Sequence, residues 1–222
     1  MSTIQNHDIK VSRTAHYSTL GTASSSTKYL IIACHGYGQM AKRFIRKFDA
    51  IAGDDVLVVA PEGLSRFYWG GLTGEVVSSW MTKEDRLSEI EDYTHFIEGL
   101  YQKYTPLVAQ DAKIVLFGFS QGCATIMRWA MHTFPACDHF AFWAGMIPED
   151  INYQPHLDYF ADKEVTLFHG DKDPLITPER LAFIKKVIVE TGIEGVKEYP
   201  YQGEHKIERS FLKTWFEESV RV

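Results

Sequence analysis

Apolar residues recur along this chain with two different periods, and the two periods predict its elements. Predominantly apolar runs at 29–34 (YLIIAC), 56–60 (VLVVA), 112–117, 138–143, 164–168 and 196–201 are short and rich in branched or aromatic residues. They read as strands, the first two fully buried, and Pro61 stops the second. Between them the spacing becomes helical. Phe44, Ile45, Phe48 and Ile51 share one face, closed by Gly53. Leu87, Ile90, Thr94, Ile97 and Tyr101 mark the inner face of a longer helix. Residues 123–134 contain no Pro or Gly. Thr177 and Pro178 cap a helix with Leu181, Ile184 and Ile188 inside, ended by Thr191-Gly192. Ile207, Phe211, Leu212, Trp215 and Phe216 form the last apolar face.

Two stretches fit neither period cleanly. In residues 8–20, Ile9, Val11 and Ala15 alternate and predict one or two edge strands. Residues 62–82 read as a long irregular loop, with four glycines among Phe67, Tyr68, Trp69 and Trp80. Its aromatics argue against disorder, and long loops in compact domains are often functional. Strands alternating with helices imply an α/β fold, a mainly parallel central sheet with helices on both faces. Ligands in such sheets bind beyond the carboxyl ends of the strands. No internal repeat appears, and 222 residues fit one domain, 1–222, with no separate lid.

Composition narrows the setting. Hydrophobic residues make up 45%, enough for a large core. A net charge of −6 argues against nucleic acid or an anionic membrane as partner. The basic cluster Lys42, Arg43, Arg46 and Lys47 reads as a solvated helix face. Cys34, Cys123 and Cys137, an odd number in apolar settings, imply buried thiols in a reducing compartment. The polar residues 1–10 lack the apolar core of a signal peptide, and no run approaches a membrane span. The expectation is a cytoplasmic protein.

The chemistry centres on Gly118-Phe119-Ser120-Gln121-Gly122, between a predicted strand and a predicted helix. A serine at such a turn is a nucleophile elbow: the sharp bend pushes the hydroxyl out above the sheet. The flanking glycines are needed because side chains there would strike the neighbouring strand and helix. A serine hydroxyl needs a base, usually a histidine oriented by a buried carboxylate. In this arrangement the order along the chain is Ser, acid, His. His205, in Gly203-Glu204-His205 after the last strand, fits the base. The acid is Asp171 or Asp173, in His169-Gly170-Asp171-Lys172-Asp173-Pro174, and spacing does not separate them. The developing oxyanion needs two backbone donors, expected from Gln121 N–H and from Tyr37 N–H in His35-Gly36-Tyr37-Gly38. His35 itself is expected to shape that loop rather than act as base. Phe67, Tyr68, Trp69 and Trp80 are candidates for an acyl-pocket wall, or else for anchors of their own loop.

On these motifs the chain resembles the α/β-hydrolase fold, and within it the phospholipase/carboxylesterase family that includes acyl-protein thioesterases. The resemblance spans the chain from the His35 loop to His205. It implies Asp173 as the acid, Tyr37 and Gln121 as oxyanion donors, and no metal or cofactor. Gln39 replaces an Asp common after the second glycine of the first loop, and Met81-Thr82 replace an aromatic and an Asp after Trp80. Both departures touch the substrate side. The expected function is a serine carboxylesterase for small to medium acyl esters, or alternatively a thioesterase or lysophospholipase for long acyl chains. Two readings of other kinds compete. Gly36-x-Gly38-x-x-Ala41 with Glu62 resembles a dinucleotide fingerprint. A non-catalytic ligand-binding module on the same fold is the other.

Overall fold

Residues 3–222 are described by the computed structural model; Met1 and Ser2, where the polar N-terminal stretch begins, lie outside the described residues. The first strand, β1 (Tyr17–Leu20), is shorter than the alternation at 8–20 predicts. Ile9 and Val11 are exposed and unpaired, since no neighbouring strand offers them a ladder. Next come β2 (Tyr29–Cys34) and β3 (Val56–Pro61), both buried along their full length. Between them, α1 (Ala41–Phe44) tightens into a 3-10 stretch, Ile45–Ile51. The predicted residues Phe44, Ile45, Phe48 and Ile51 are its buried face.

The 62–82 stretch is more regular than expected. It forms an antiparallel hairpin of β4 (Ser65–Trp69) and β5 (Glu75–Ser79). Its glycines mark the turn: Gly70 and Gly71 have φ of 78° and 111°, reserved in practice for glycine. The remaining elements are α2 (Arg86–Tyr104), β6 (Lys113–Phe119), α3 (Gln121–Thr133), β7 (His139–Trp143), β8 (Glu164–Gly170), α4 (Pro178–Thr191), β9 (Lys197–Tyr201) and α5 (Arg209–Trp215).

The main sheet has the order β1-β3-β2-β6-β7-β8-β9, parallel except for β1. Alternation along each strand feeds two cores. Leu30, Ile32 and Leu116 join residues of α2, α3 and α4 on one face. Ile31, Phe117 and Trp143 join Phe48, Leu212 and Trp215 on the other. Parallel strands bring the ends of β2, β6, β7, β8 and β9 to one rim.

The loop after β2 is held from below by His35, which is fully buried. Its Nδ1 lies 2.7 Å from Gly36 O and so carries the proton. Its Nε2 accepts from Gly63 N at 2.9 Å. Burial lowers this imidazole from 6.5 to about 4, so it stays neutral near pH 7. Among the described residues no helix is long and apolar enough to cross a membrane.

Two predictions follow from this packing. The spacing puts Leu87 and Ile97 on one inner face, yet Leu87 is 75% exposed while Ile97 is fully buried. Ile97→Ala should therefore cost about 2–5 kcal/mol in chemical denaturation, and Leu87→Ala less than about 0.5 kcal/mol. For His35, the unfolded chain takes up a proton near pH 6.5 and the native state only near about 4. Between those values the unfolded state binds more protons. Acidification then removes stability, by about 3 kcal/mol from this group once below both. Ring ¹⁵N shifts at about pH 5 should show a neutral Nδ1–H tautomer at His35; a charged ring there would refute this account.

Candidate active site

The turn between β6 and α3 is tight enough to force Ser120 to φ 53° and ψ −116°, a strained conformation for a residue with a side chain. Three glycines make room for it. A Cβ on Gly118 would lie 2.5 Å from Cys123 Cα, and one on Gly122 would lie 2.1 Å from Cys34 O. A Cβ on Gly145 would lie 2.4 Å from Ser120 O. The serine N–H is tied to Trp143 O at 2.8 Å. Bend and ties together aim the side chain off the rim.

Asp173 and His205 come together there. Asp173 Oδ2 lies 2.7 Å from His205 Nδ1, and the carboxylate is fully buried. Its Oδ1 accepts from Leu175 N at 2.8 Å. Because the carboxylate only accepts, Nδ1 carries the proton and Nε2 is left with its lone pair. Asp171 does different work: its Oδ1 accepts from Gly203 N at 2.9 Å and stitches the loop that carries His205. That loop is also held by Tyr201, whose hydroxyl accepts from Trp143 Nε1 at 3.0 Å and lies 3.0 Å from Lys206 O. Phe119 packs on the His205 ring with centroids 5.0 Å apart.

Ser120 and His205 line one cleft of about 280 Å³. No hydrogen bond joins their side chains among the described residues; catalytic contacts of this kind are often long without substrate and tighten around it. Leu175, Ile176, Ile184 and Met146 make the cleft's apolar wall. The hairpin residues expected as that wall are elsewhere. Trp80 is 1% exposed, with its indole Nε1 on His35 O and its ring against His35 and Tyr93, so it offers no face to a ligand. Phe67 and Trp69 pack on Tyr37, and Trp69 covers Gly38, bracing the loop after β2. Tyr68 alternates to the other side of the hairpin and is exposed. The apolar pair Leu175-Ile176 just after Pro174 was the available signal for the wall of this cleft.

Among the described residues neither Tyr37 N–H nor Gln121 N–H donates to a protein acceptor, while Gly36 N and Gly38 N on either side of Tyr37 do. Gln39 supplies the acceptor for Gly36 N at 2.9 Å, and its own carbonyl takes Ser78 N and Ser78 Oγ. Gln121 links the elbow to the hairpin through Trp80 N and Met81 O. The dinucleotide reading fails on geometry. Glu62 Oε2 accepts from Ala41 N at the start of α1, putting a carboxylate where the pyrophosphate would bind. No group of three or more His, Cys, Asp or Glu side chains among the described residues is arranged to hold a metal ion. The three thiols are unpaired, and burial raises all of them.

Comparison with known proteins bears on the fold and the family. No curated protein sequence matches the chain. Solved structures do: Zea mays acyl-protein thioesterase 2 superimposes with a TM-score of 0.70 at 14% identity, covering 90% of this chain and 96% of that one. A phospholipase/carboxylesterase from Dyadobacter fermentans gives 0.63 at 15% identity, covering 94% and 98%. A Bacillus cereus carboxylesterase gives 0.60 at 14%, covering 91% and 93%. At such identities the likeness speaks for the α/β-hydrolase fold. The profile of the Phospholipase/Carboxylesterase family matches residues 16–217, and the chain belongs to that family.

Proposed function

We propose that this protein is a serine carboxylesterase that hydrolyses small to medium acyl esters through an acyl-enzyme. The observation that carries the reading is the Asp173–His205 pair beside Ser120 in the wall of one apolar cleft. His205 Nε2 takes the proton of Ser120 Oγ as the oxygen attacks the ester carbonyl. The negative charge that forms on the carbonyl oxygen is met by the N–H groups of Tyr37 and Gln121, each worth about 3–4 kcal/mol in such sites. The tetrahedral intermediate collapses, His205 gives the proton to the departing alcohol, and the acyl group stays on Ser120. Water then attacks with His205 again as base, the acid departs, and the proton returns to Ser120.

The acyl group remains bonded to Ser120, so its place is the cleft that Ser120 lines. At about 280 Å³ that cleft is small among ligand pockets, which favours small to medium acyl groups over the long chains of a thioesterase or lysophospholipase. The reading takes 1–222 as one catalytic domain without a separate lid. Its unpaired thiols, buried at Cys34 and Cys123 and half-buried at Cys137, fit a reducing, cytoplasmic setting.

A fluorophosphonate probe should label the protein at Ser120, and Ser120→Ala should abolish labelling. The same variant should lose about 10⁴-fold or more of p-nitrophenyl butyrate turnover with its melting temperature preserved. An unlabelled, natively folded protein would favour a pure binding module. Asp173→Asn should cost about 10³–10⁴-fold in kcat, because the amide favours the wrong His205 tautomer. Asp171→Asn keeps an acceptor for Gly203 N and should cost far less; the reverse ranking would exchange the two acids. Leu175→Trp, at an exposed position of the cleft wall, should lower kcat/KM for hexanoyl relative to acetyl esters about tenfold. An unchanged chain-length profile would move the acyl group elsewhere.

A further inference from the structure

On the other side of His205 lies a second cleft, of about 250 Å³, between the start of α1 and the loop leading into α5. Phe44, Phe119 and Ile207 give it an apolar floor. Arg43, Lys47 and Lys206 stand in its wall, and no carboxylate does. On a chain of net charge −6 such a wall runs against the overall balance. The basic cluster at 42–47 is largely a solvated face, and two of its members also border the cleft. Lys42, Arg43 and Arg46 are exposed and Lys47 is half-buried; Arg43 and Lys47, four residues apart, border the cleft.

The three cations differ in what neutralises them. Arg43 is paired with Glu75, and Lys206 with Glu208 at 3.1 Å. Lys47 is half-buried and has no acidic partner among the described residues. An ammonium with no counter-charge in that wall is one a ligand anion could pair with. Ser120 is absent from this cleft and His205 is shared with the first one. The departing oxygen must receive its proton from His205, so the alcohol part of an ester belongs on this side.

Resting on the ester-hydrolysis reading, we infer that this cleft receives the alcohol part of the substrate and selects one that carries an anionic group, with Lys47 as its counter-ion. Carboxylate and phosphate share that chemistry, and the apolar floor accommodates the carbon skeleton between the anion and the ester oxygen.

Two esters with the same acyl group test it: 4-(butyryloxy)benzoate and the neutral 4-(butyryloxy)benzamide. The ratio of their kcat/KM values, charged over neutral, should fall about tenfold in Lys47→Met and be largely kept in Lys47→Arg. Raising ionic strength should lower the wild-type ratio in the same direction. A ratio unmoved by Lys47→Met overturns the inference while leaving ester hydrolysis intact. Turnover of neither ester would instead overturn the esterase reading. The cleft is then read without chemistry, by equilibrium binding of 4-hydroxybenzoate to the Ser120→Ala protein. Adding Lys47→Met should weaken that binding about tenfold, and equal binding overturns the inference. A phosphate-bearing leaving group, 4-(butyryloxy)phenyl phosphate, should show the same dependence on Lys47; independence there would likewise count against it.

Discussion

Everything at the rim depends on how closely α3 approaches the end of β2. The carbonyl of Cys34 occupies the place where a side chain on Gly122 would begin. That contact brings the first turn of the helix beside the loop carrying Tyr37, so donors from two distant segments can face one point. The same closeness bends the chain at Ser120 into a left-handed conformation. The strain is held by the buried strands on either side and by the hydrogen bond from Ser120 N to Trp143 O.

Around this bend the polar groups are arranged in two tiers. The upper tier, Asp173 and His205, is buried on its carboxylate side and accessible on its imidazole side. The lower tier lines neither cleft beside His205. His35 ties the loop after β2 to Gly63, Tyr201 ties the His205 loop to Trp143, and Asp171 closes the gap between β8 and β9. The His35 and Asp171 bonds fix backbone directly, while the Tyr201–Trp143 bond joins two side chains, and together they hold the loops that carry the reacting groups.

The periodic segments of this fold are legible in the sequence because burial decides them. Tyr29–Cys34 has both faces covered and reads as a strand from composition alone. The turn at Ser120 and its flanking glycines are legible for a similar reason: the turn geometry admits few residue types. The choice between Asp171 and Asp173 is not, since both sit in one turn and only packing decides which carboxylate faces His205. The hairpin escaped because its aromatics face outward onto Tyr37 and solvent rather than inward, so its apolar pattern has no core to match. The apolar wall of the cleft beside Ser120 escaped because it is assembled from three separate segments, around Met146, Leu175 and Ile184, none of which is marked by a motif.

His205 forms part of both clefts, and this placement has a kinetic meaning on the proposed pathway. Once the first product diffuses away, its compartment becomes the entrance for solvent while the retained half of the substrate still fills the other. The incoming water then arrives beside the imidazole that has just surrendered its proton. One ring thus serves two half-reactions from a fixed position, and the sequence of departure before entry is imposed by the partition of space rather than by any moving part.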